Sequence, residues 1–174
     1  MAPFTKIRRE LEPRWVVDCV ENFYPSYISK FRVPLGPIPE NLIAEYGEAK
    51  AINVYRPSRP EADAMVIFPS TLMLLEAKVV RYMDGLAKLP VYKSLIPTTP
   101  ELREYKDWPV VMRLLIPVPI PWVEIACANI GVEYHAWAPD YIKQAWDEKD
   151  KYWTKEKMFA RELRKKKLRE EGFE

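Results

Sequence analysis

Glu61-Ala-Asp-Ala-Met-Val-Ile-Phe-Pro-Ser-Thr-Leu-Met-Leu-Leu-Glu-Ala-Lys-Val-Val80 is the stretch on which the reading of this chain turns. Two apolar runs, Ala64 to Phe68 and Thr71 to Val80, flank a Pro69-Ser70 break. Their Val, Ile, Leu and Met content reads as a hairpin of buried strands. Proline cannot take the positive φ of a tight two-residue hairpin turn, so a four-residue loop, Phe68 to Thr71, is expected. The register set by that loop puts Ile67 opposite Leu72, Met65 opposite Leu74 and Asp63 opposite Glu76. Strand alternation then places Lys78 on the same face as Glu76, one step further along.

Opposed like charges, with Cβ atoms about 4.5–5.5 Å apart, destabilise a sheet unless something offsets them, and a divalent cation would do so. A buried carboxylate is costly unless it is paired, protonated or bound to metal. Asp63, Glu76 and Lys78 interrupt strands that are otherwise almost wholly apolar, which makes them the candidate site residues.

An Asp opening one strand, a short gap, then an apolar strand ending in Glu-x-Lys resembles the core of the PD-(D/E)xK nuclease superfamily. Asp63 and Glu76-Ala77-Lys78 stand at the matching positions, with Ala62 where the family often has proline before the aspartate. The resemblance implies a restriction-endonuclease-like fold and Mg²⁺ or Mn²⁺ held by Asp63, Glu76 and the carbonyl of Ala77. It implies a Lys78 that orients the attacking water or neutralises charge in the transition state, and products with 5′-phosphate and 3′-hydroxyl ends. An acid from a helix ahead of the core strands often joins the metal in this family, and Glu45 is the choice here. A polar residue on the helix after Glu-x-Lys is also usual, and Lys88 resembles it.

The remaining elements follow from periodicity and punctuation. Trp15, Val16, Cys19, Val20 and Phe23 recur at helical spacing between Pro13 and Pro25, predicting an amphipathic first helix. Tyr27 to Val33 reads as a strand or an extended arm. Pro39 to Glu48 reads as a second helix with proline in its first turn, and Ile52 to Tyr55 as a short strand. Arg56-Pro57-Ser58-Arg59-Pro60 is a stiff loop whose Arg56 and Arg59 are candidates for holding a phosphate backbone. Arg81 to Ile96 predicts a helix kinked or split at Pro90, and Pro97 to Pro109 a polar loop for substrate or partner specificity. Val110 to Pro117 reads as a central strand, Trp122 to Asn129 as a short helix ended by Gly131, and Val132 to Trp137 as a last strand.

The expected fold class is therefore α/β, a mixed sheet of about five strands sandwiched between helices. Residues 1–38 are expected as a helix and arm, 39–138 as the core that carries the resemblance, and 139–174 as a charged C-terminal helix. Ile142, Trp146, Trp153, Phe159 and Leu163 give that helix an apolar seam, a surface for a protein partner or a second copy of the chain.

Composition narrows the function classes. At 174 residues and 48% apolar content the chain has room for one domain with a real core. No apolar run approaches the ~20 residues of a membrane span, so an intracellular, cytoplasmic protein is expected. Two cysteines outside any Cys-x-x-Cys pair and a single histidine argue against structural zinc and against a Ser-His-Asp triad. A net charge of +2 leaves only a local basic patch to meet a polyanion. The partner that the resemblance implies is nucleic acid, DNA ahead of RNA. The alternatives are an assembly protein reusing the fold, for example in a viral particle, and a nucleic-acid binder without catalysis.

Overall fold

The computed structural model describes residues 3–150, 159, 162–164, 166 and 167, with side chains from residue 11 to 147 and at those later positions. In chain order the elements are α1 (Pro3–Phe23), β1 (Ile28–Pro34), α2 (Glu40–Tyr46), α3 (Glu48–Tyr55), β2 (Glu61–Ile67) and β3 (Leu72–Ala77). There follow α4 (Tyr82–Leu95), β4 (Val110–Ile116), α5 (Pro121–Asn129), β5 (Val132–Ala136) and α6 (Asp140–Asp150). The strands form one sheet in the order β1-β2-β3-β4-β5, antiparallel from β1 to β3 and parallel from β3 to β5. It is an α/β fold with a mixed sheet between helices.

The hairpin has the loop and register read from the sequence. The Phe68 N–H donates to the Thr71 carbonyl at 2.9 Å, Ile67 pairs with Leu72, and Met65 pairs with Leu74. Parallel neighbours need a crossover, and α4 and α5 provide the two that link β3 to β4 and β4 to β5. Their apolar sides close one core against the sheet, with Leu72, Leu74, Leu86, Leu89, Leu114 and Val123 buried in it. On the opposite face Trp15, Val16, Cys19 and Val20 of α1 meet Met73 and Leu75 of β3 and Ile142 of α6. Covered on both sides, β3 is buried from Leu72 to Ala77, which is why its sequence is an almost unbroken apolar run.

Several boundaries differ from expectation. The predicted strand at Ile52–Tyr55 is the second half of α3. Gly47, at φ 75°, ends α2 by donating to the Ile43 carbonyl, and its own carbonyl accepts the Ala51 N–H of α3. A helix started there, with Ala49, Lys50 and Ala51 in its first turns, overrides the strand preference of Ile, Val and Tyr. The sheet keeps five strands because Ile28–Pro34 is a full member, pairing with β2 from Ile28–Ile67 to Pro34–Glu61. α1 and β1 thus belong to the core, since α1 covers the sheet and β1 forms its edge. The first helix begins earlier than predicted and runs through Pro13, and α4 is a single helix past Pro90. The predicted loop after it winds into 3-10 turns at Ile96–Thr98 and Pro100–Tyr105.

Of the C-terminal seam, Ile142 is buried and Trp146 donates its indole N–H to the Tyr82 hydroxyl at 3.0 Å. Phe159 and Leu163 are exposed, and Trp153 lies outside the described residues. Cys19 and Cys127 are buried free thiols, and burial pushes Cys19 up to about 12. Among the described residues no helix is long and apolar enough to cross a membrane.

Candidate functional site

The β2–β3 ladder ends at the Ala64–Leu75 pair, and there the strands part around three charged side chains. Asp63 does not continue the backbone ladder. Its carboxylate Oδ2 accepts the Ala77 N–H at 2.9 Å instead, so a side chain stands where a main-chain carbonyl would otherwise be. Glu76 follows the apolar run of β3 and is 0% exposed. Lys78 leaves β3 with its N–H still donating to the Leu115 carbonyl of β4 at 2.9 Å, which fixes the origin of its side chain.

The polar ends of these residues meet. Lys78 Nζ lies 2.7 Å from Glu76 Oε1 and 3.8 Å from Asp63 Oδ2, and it donates to the Ala77 carbonyl at 2.7 Å. Lys88, in the second turn of α4, reaches Glu76 Oε1 at 3.1 Å. The other oxygen, Glu76 Oε2, is buried with no hydrogen-bond partner. A buried carboxylate oxygen without a donor is costly, and such atoms in native proteins commonly mark a place for an ion or water. Burial pushes the Asp63 carboxyl up to about 6, and the Glu76 charge beside it adds to the rise, with Lys78 and the Ala77 N–H pulling the other way. Of the sequence-predicted residues, Asp63, Glu76, Ala77, Lys78 and Lys88 are thus together.

The others are not. Glu45 is exposed on α2 beside Tyr46 and is not among the charges that act on Asp63. Arg59 is no free surface arginine. Its side chain is 1% exposed, forks onto Glu101 at 2.6 and 2.9 Å, and donates to the carbonyls of Pro34 and Gly36. Its fork holds the end of β1 to the 3-10 turn that carries Glu101. Arg56 does reach solvent and lines a cavity described below.

Two residues that complete the site were missed from sequence. Glu12 of α1 is 7% exposed, accepts the Val79 N–H at 3.0 Å through Oε1, and its charge also acts on Asp63. Its signal was available, because Glu12 sits one turn before Trp15 and Val16, a carboxylate on the buried stripe of an amphipathic helix. Gly85 is the second. A Cβ there would stand 2.5 Å from Leu114 Cδ1, 3.1 Å from Lys78 Cγ and 3.7 Å from Glu76 Cγ. Only glycine lets α4 lie this close over the two charged side chains, and it is the close approach that brings Lys88 within reach.

The donor set can be compared with what a hard cation needs. Mg²⁺ is typically bound through one or two carboxylates and keeps several waters. Asp63 and Glu76 provide two, with a free lone pair at Glu76 Oε2 and the Ala77 carbonyl beside them. Among the described residues no group of three or more Asp, Glu, His or Cys side chains gathers as a ligand cage, so any cation held here would have to take most of its ligands from water.

No family model matches the chain, and no curated protein matches it. Among solved structures it is similar to the protein VC1899 from Vibrio cholerae, at 16% identity and a TM-score of 0.39, over 79% of this chain and 31% of that one. The chain spans about a third of that protein's length. A likeness this remote carries no inference about activity.

Proposed function

We propose that this protein is a metal-dependent nuclease of the PD-(D/E)xK type that hydrolyses phosphodiester bonds of nucleic acid, with DNA the first substrate to test. One observation carries the reading. Asp63 and Glu76, two carboxylates that repel one another, share the end of a sheet with Lys78, and Glu76 Oε2 is buried there without a donor. That oxygen lacks a protein donor, and a hydrated cation would meet it.

In this reading Asp63, Glu76 and the Ala77 carbonyl hold Mg²⁺ or Mn²⁺, with Lys78 Nζ giving up the carbonyl. Bound there, the cation supplies Lewis acidity that lowers the pKa of a bound water and offsets charge on the phosphate. Lys78 places a fixed ammonium where the phosphorane gains negative charge, in a largely buried setting where one charge is worth more than in water. Lys88 holds the Glu76 carboxylate in position through Oε1. In the net reaction the water oxygen bonds phosphorus, the bond from phosphorus to the 3′ oxygen breaks, and the departing oxygen takes up a proton. The two buried free thiols are in keeping with a reducing, cytoplasmic compartment.

A second reading has its own observation. Lys78 and Lys88 both engage Glu76 Oε1, so that buried carboxylate already has two ammoniums and needs no cation to offset its charge. That favours a binding or assembly protein, for example of a viral particle. Incubation of the full chain with labelled single- and double-stranded DNA and RNA in Mg²⁺ or Mn²⁺ separates the two. The nuclease reading expects cutting that EDTA abolishes and that Lys78→Ala lowers by about 10²-fold or more with its melting transition kept. No cutting by the native chain, or equal cutting by Lys78→Ala, sinks it.

A further inference from the structure

β1 is irregular at a single residue beside the site. Arg32 has φ 50°, a left-handed backbone that a non-glycine residue holds only where its surroundings enforce it. The pairs Phe31–Ala64 and Val33–Ala62 flank it, so Arg32 lies across from Asp63. Its guanidinium donates to Glu61 Oε2 through Nε at 3.3 Å and Nη2 at 3.1 Å. Arg56 comes from the other side, with Nε 3.4 Å from Glu61 Oε1 and Nη2 donating to the Arg32 carbonyl at 3.0 Å. Two arginines therefore share one carboxylate.

These residues, with Pro57 and Arg59, line an open cavity of about 470 Å³. That volume suits a small ligand of nucleotide size. The charge balance around it is uneven: Arg32, Arg56 and Arg59 bring three guanidinium groups, against the carboxylates of Glu61 and Glu101. Each guanidinium has five N–H donors, and Glu61 and the Arg32 carbonyl take two on Arg32 and two on Arg56. Planar forks with spare donors on a carboxylate that cannot neutralise both are chemistry for a phosphate. Glu61 precedes Asp63 by two residues on β2, a separation of about 6.5 Å along an extended strand. That is close to the reach of one nucleotide.

We infer that the Arg32–Arg56 cavity is a phosphate subsite that grips a nucleic-acid strand one nucleotide away from Asp63. The subsite rests on the nuclease reading for what happens at Asp63, and on the guanidinium geometry alone for strand binding. Glu61 keeps the two forks aligned while the subsite is empty, and the arriving phosphate takes over their free donors. Arg59 adds charge behind the cavity but stays locked to Glu101.

Fluorescence anisotropy of the full chain with a labelled single-stranded DNA, in EDTA and over a range of KCl, tests this. Arg32→Ala with Arg56→Ala is expected to weaken binding about ten-fold or more and to flatten the salt dependence by roughly one unit of slope per guanidinium. Glu61→Gln, which keeps the side-chain shape, is expected to tighten binding several-fold, and serves if the double variant unfolds. Unchanged affinity and slope in the double variant, or weaker binding in Glu61→Gln, overturns the subsite. Inorganic phosphate should compete only weakly, and competition at oligonucleotide concentrations would overturn the strand subsite in favour of a free phosphate ligand. Strand binding through this cavity without any metal-dependent cutting leaves the subsite standing and removes the nuclease. Cutting with an unchanged KM in the double variant does the reverse.

Discussion

Two charge clusters, each built on one buried cation, lie at the same end of this sheet, and their carboxylates are pushed in opposite directions. At Glu101 burial pulls the carboxyl upward, but the hydrogen bonds and charge of Arg59 more than offset it, so the group sits below its ordinary range. At Asp63 burial and the Glu76 charge push upward, and Lys78 with the Ala77 N–H does not offset them, so the group rises to about 6. The first cluster is closed: a bidentate fork on one carboxylate, with two backbone carbonyls taking the remaining Nη2 contacts, although Arg59 Nε is left without a partner. The second keeps two carboxylates in mutual repulsion and one oxygen without a donor. A strut lowers the energy of the charged form it contains, whereas a site stores unfavourable charge that a ligand can relieve.

Breaking the strut should have the largest effect on stability. Arg59→Ala removes a side chain that is 1% exposed, strands Glu101 and takes a donor from the carbonyls of Pro34 and Gly36. The expected loss is about 2 kcal/mol, because the carbonyls of Pro34 and Gly36 lose a donor while Glu101, 32% exposed, is left to solvent. Urea denaturation checks it, and a variant as stable as the native chain would mean that the fork is no strut. Gly85→Ala comes next. Its Cβ meets the buried Leu114 and the stem of Lys78, so α4 must lift, at about 2 kcal/mol. On the nuclease reading cleavage should fall much more than stability does, since lifting α4 also withdraws Lys88 from Glu76.

The strut and the site were not equally legible in the sequence. The hairpin was, because Pro69 dictates the loop length and the two-residue pleat carries that register to Asp63, Glu76 and Lys78. Five strands were also counted, but one of them in the wrong place. Ile52–Tyr55 has strand composition and lies in a helix started at Gly47, and only the pairing of β1 with β2 reveals which segment fills the edge. Glu12 was legible in principle, from the phase of α1. Arg59 was not, because its partner Glu101 lies 42 residues later and nothing local distinguishes it from Arg56. Arg32 likewise becomes notable only through its φ and its place across from Asp63.

The smallest expected effect is also the one that tests the contrast in sign. A carboxyl raised in the folded state keeps its proton there to about pH 6, while in the unfolded chain it loses it near the ordinary value of 3.8. Between those limits the native state binds more protons, so stability falls as pH rises from about 4 to about 6. With the Asp63 side chain 34% exposed, solvent screening holds this fall to about 1 kcal/mol. Glu101 works the other way: its pKa is depressed, so its contribution is present above the ordinary carboxylate value and disappears as pH drops through the folded one. Asp63→Asn preserves an oxygen to accept the Ala77 N–H and removes the charge, so the decline between pH 4 and 6 should flatten while the loss at lower pH remains. Urea midpoints for the native chain and Asp63→Asn across pH 3 to 7 measure both limbs. If the decline persists in Asp63→Asn, another group titrates in this range and the raised Asp63 carboxyl is not its source. If it vanishes, the same titration marks where protons compete with a cation for Asp63, so on the nuclease reading cleavage at limiting Mg²⁺ should weaken as pH drops and recover when Mg²⁺ is raised.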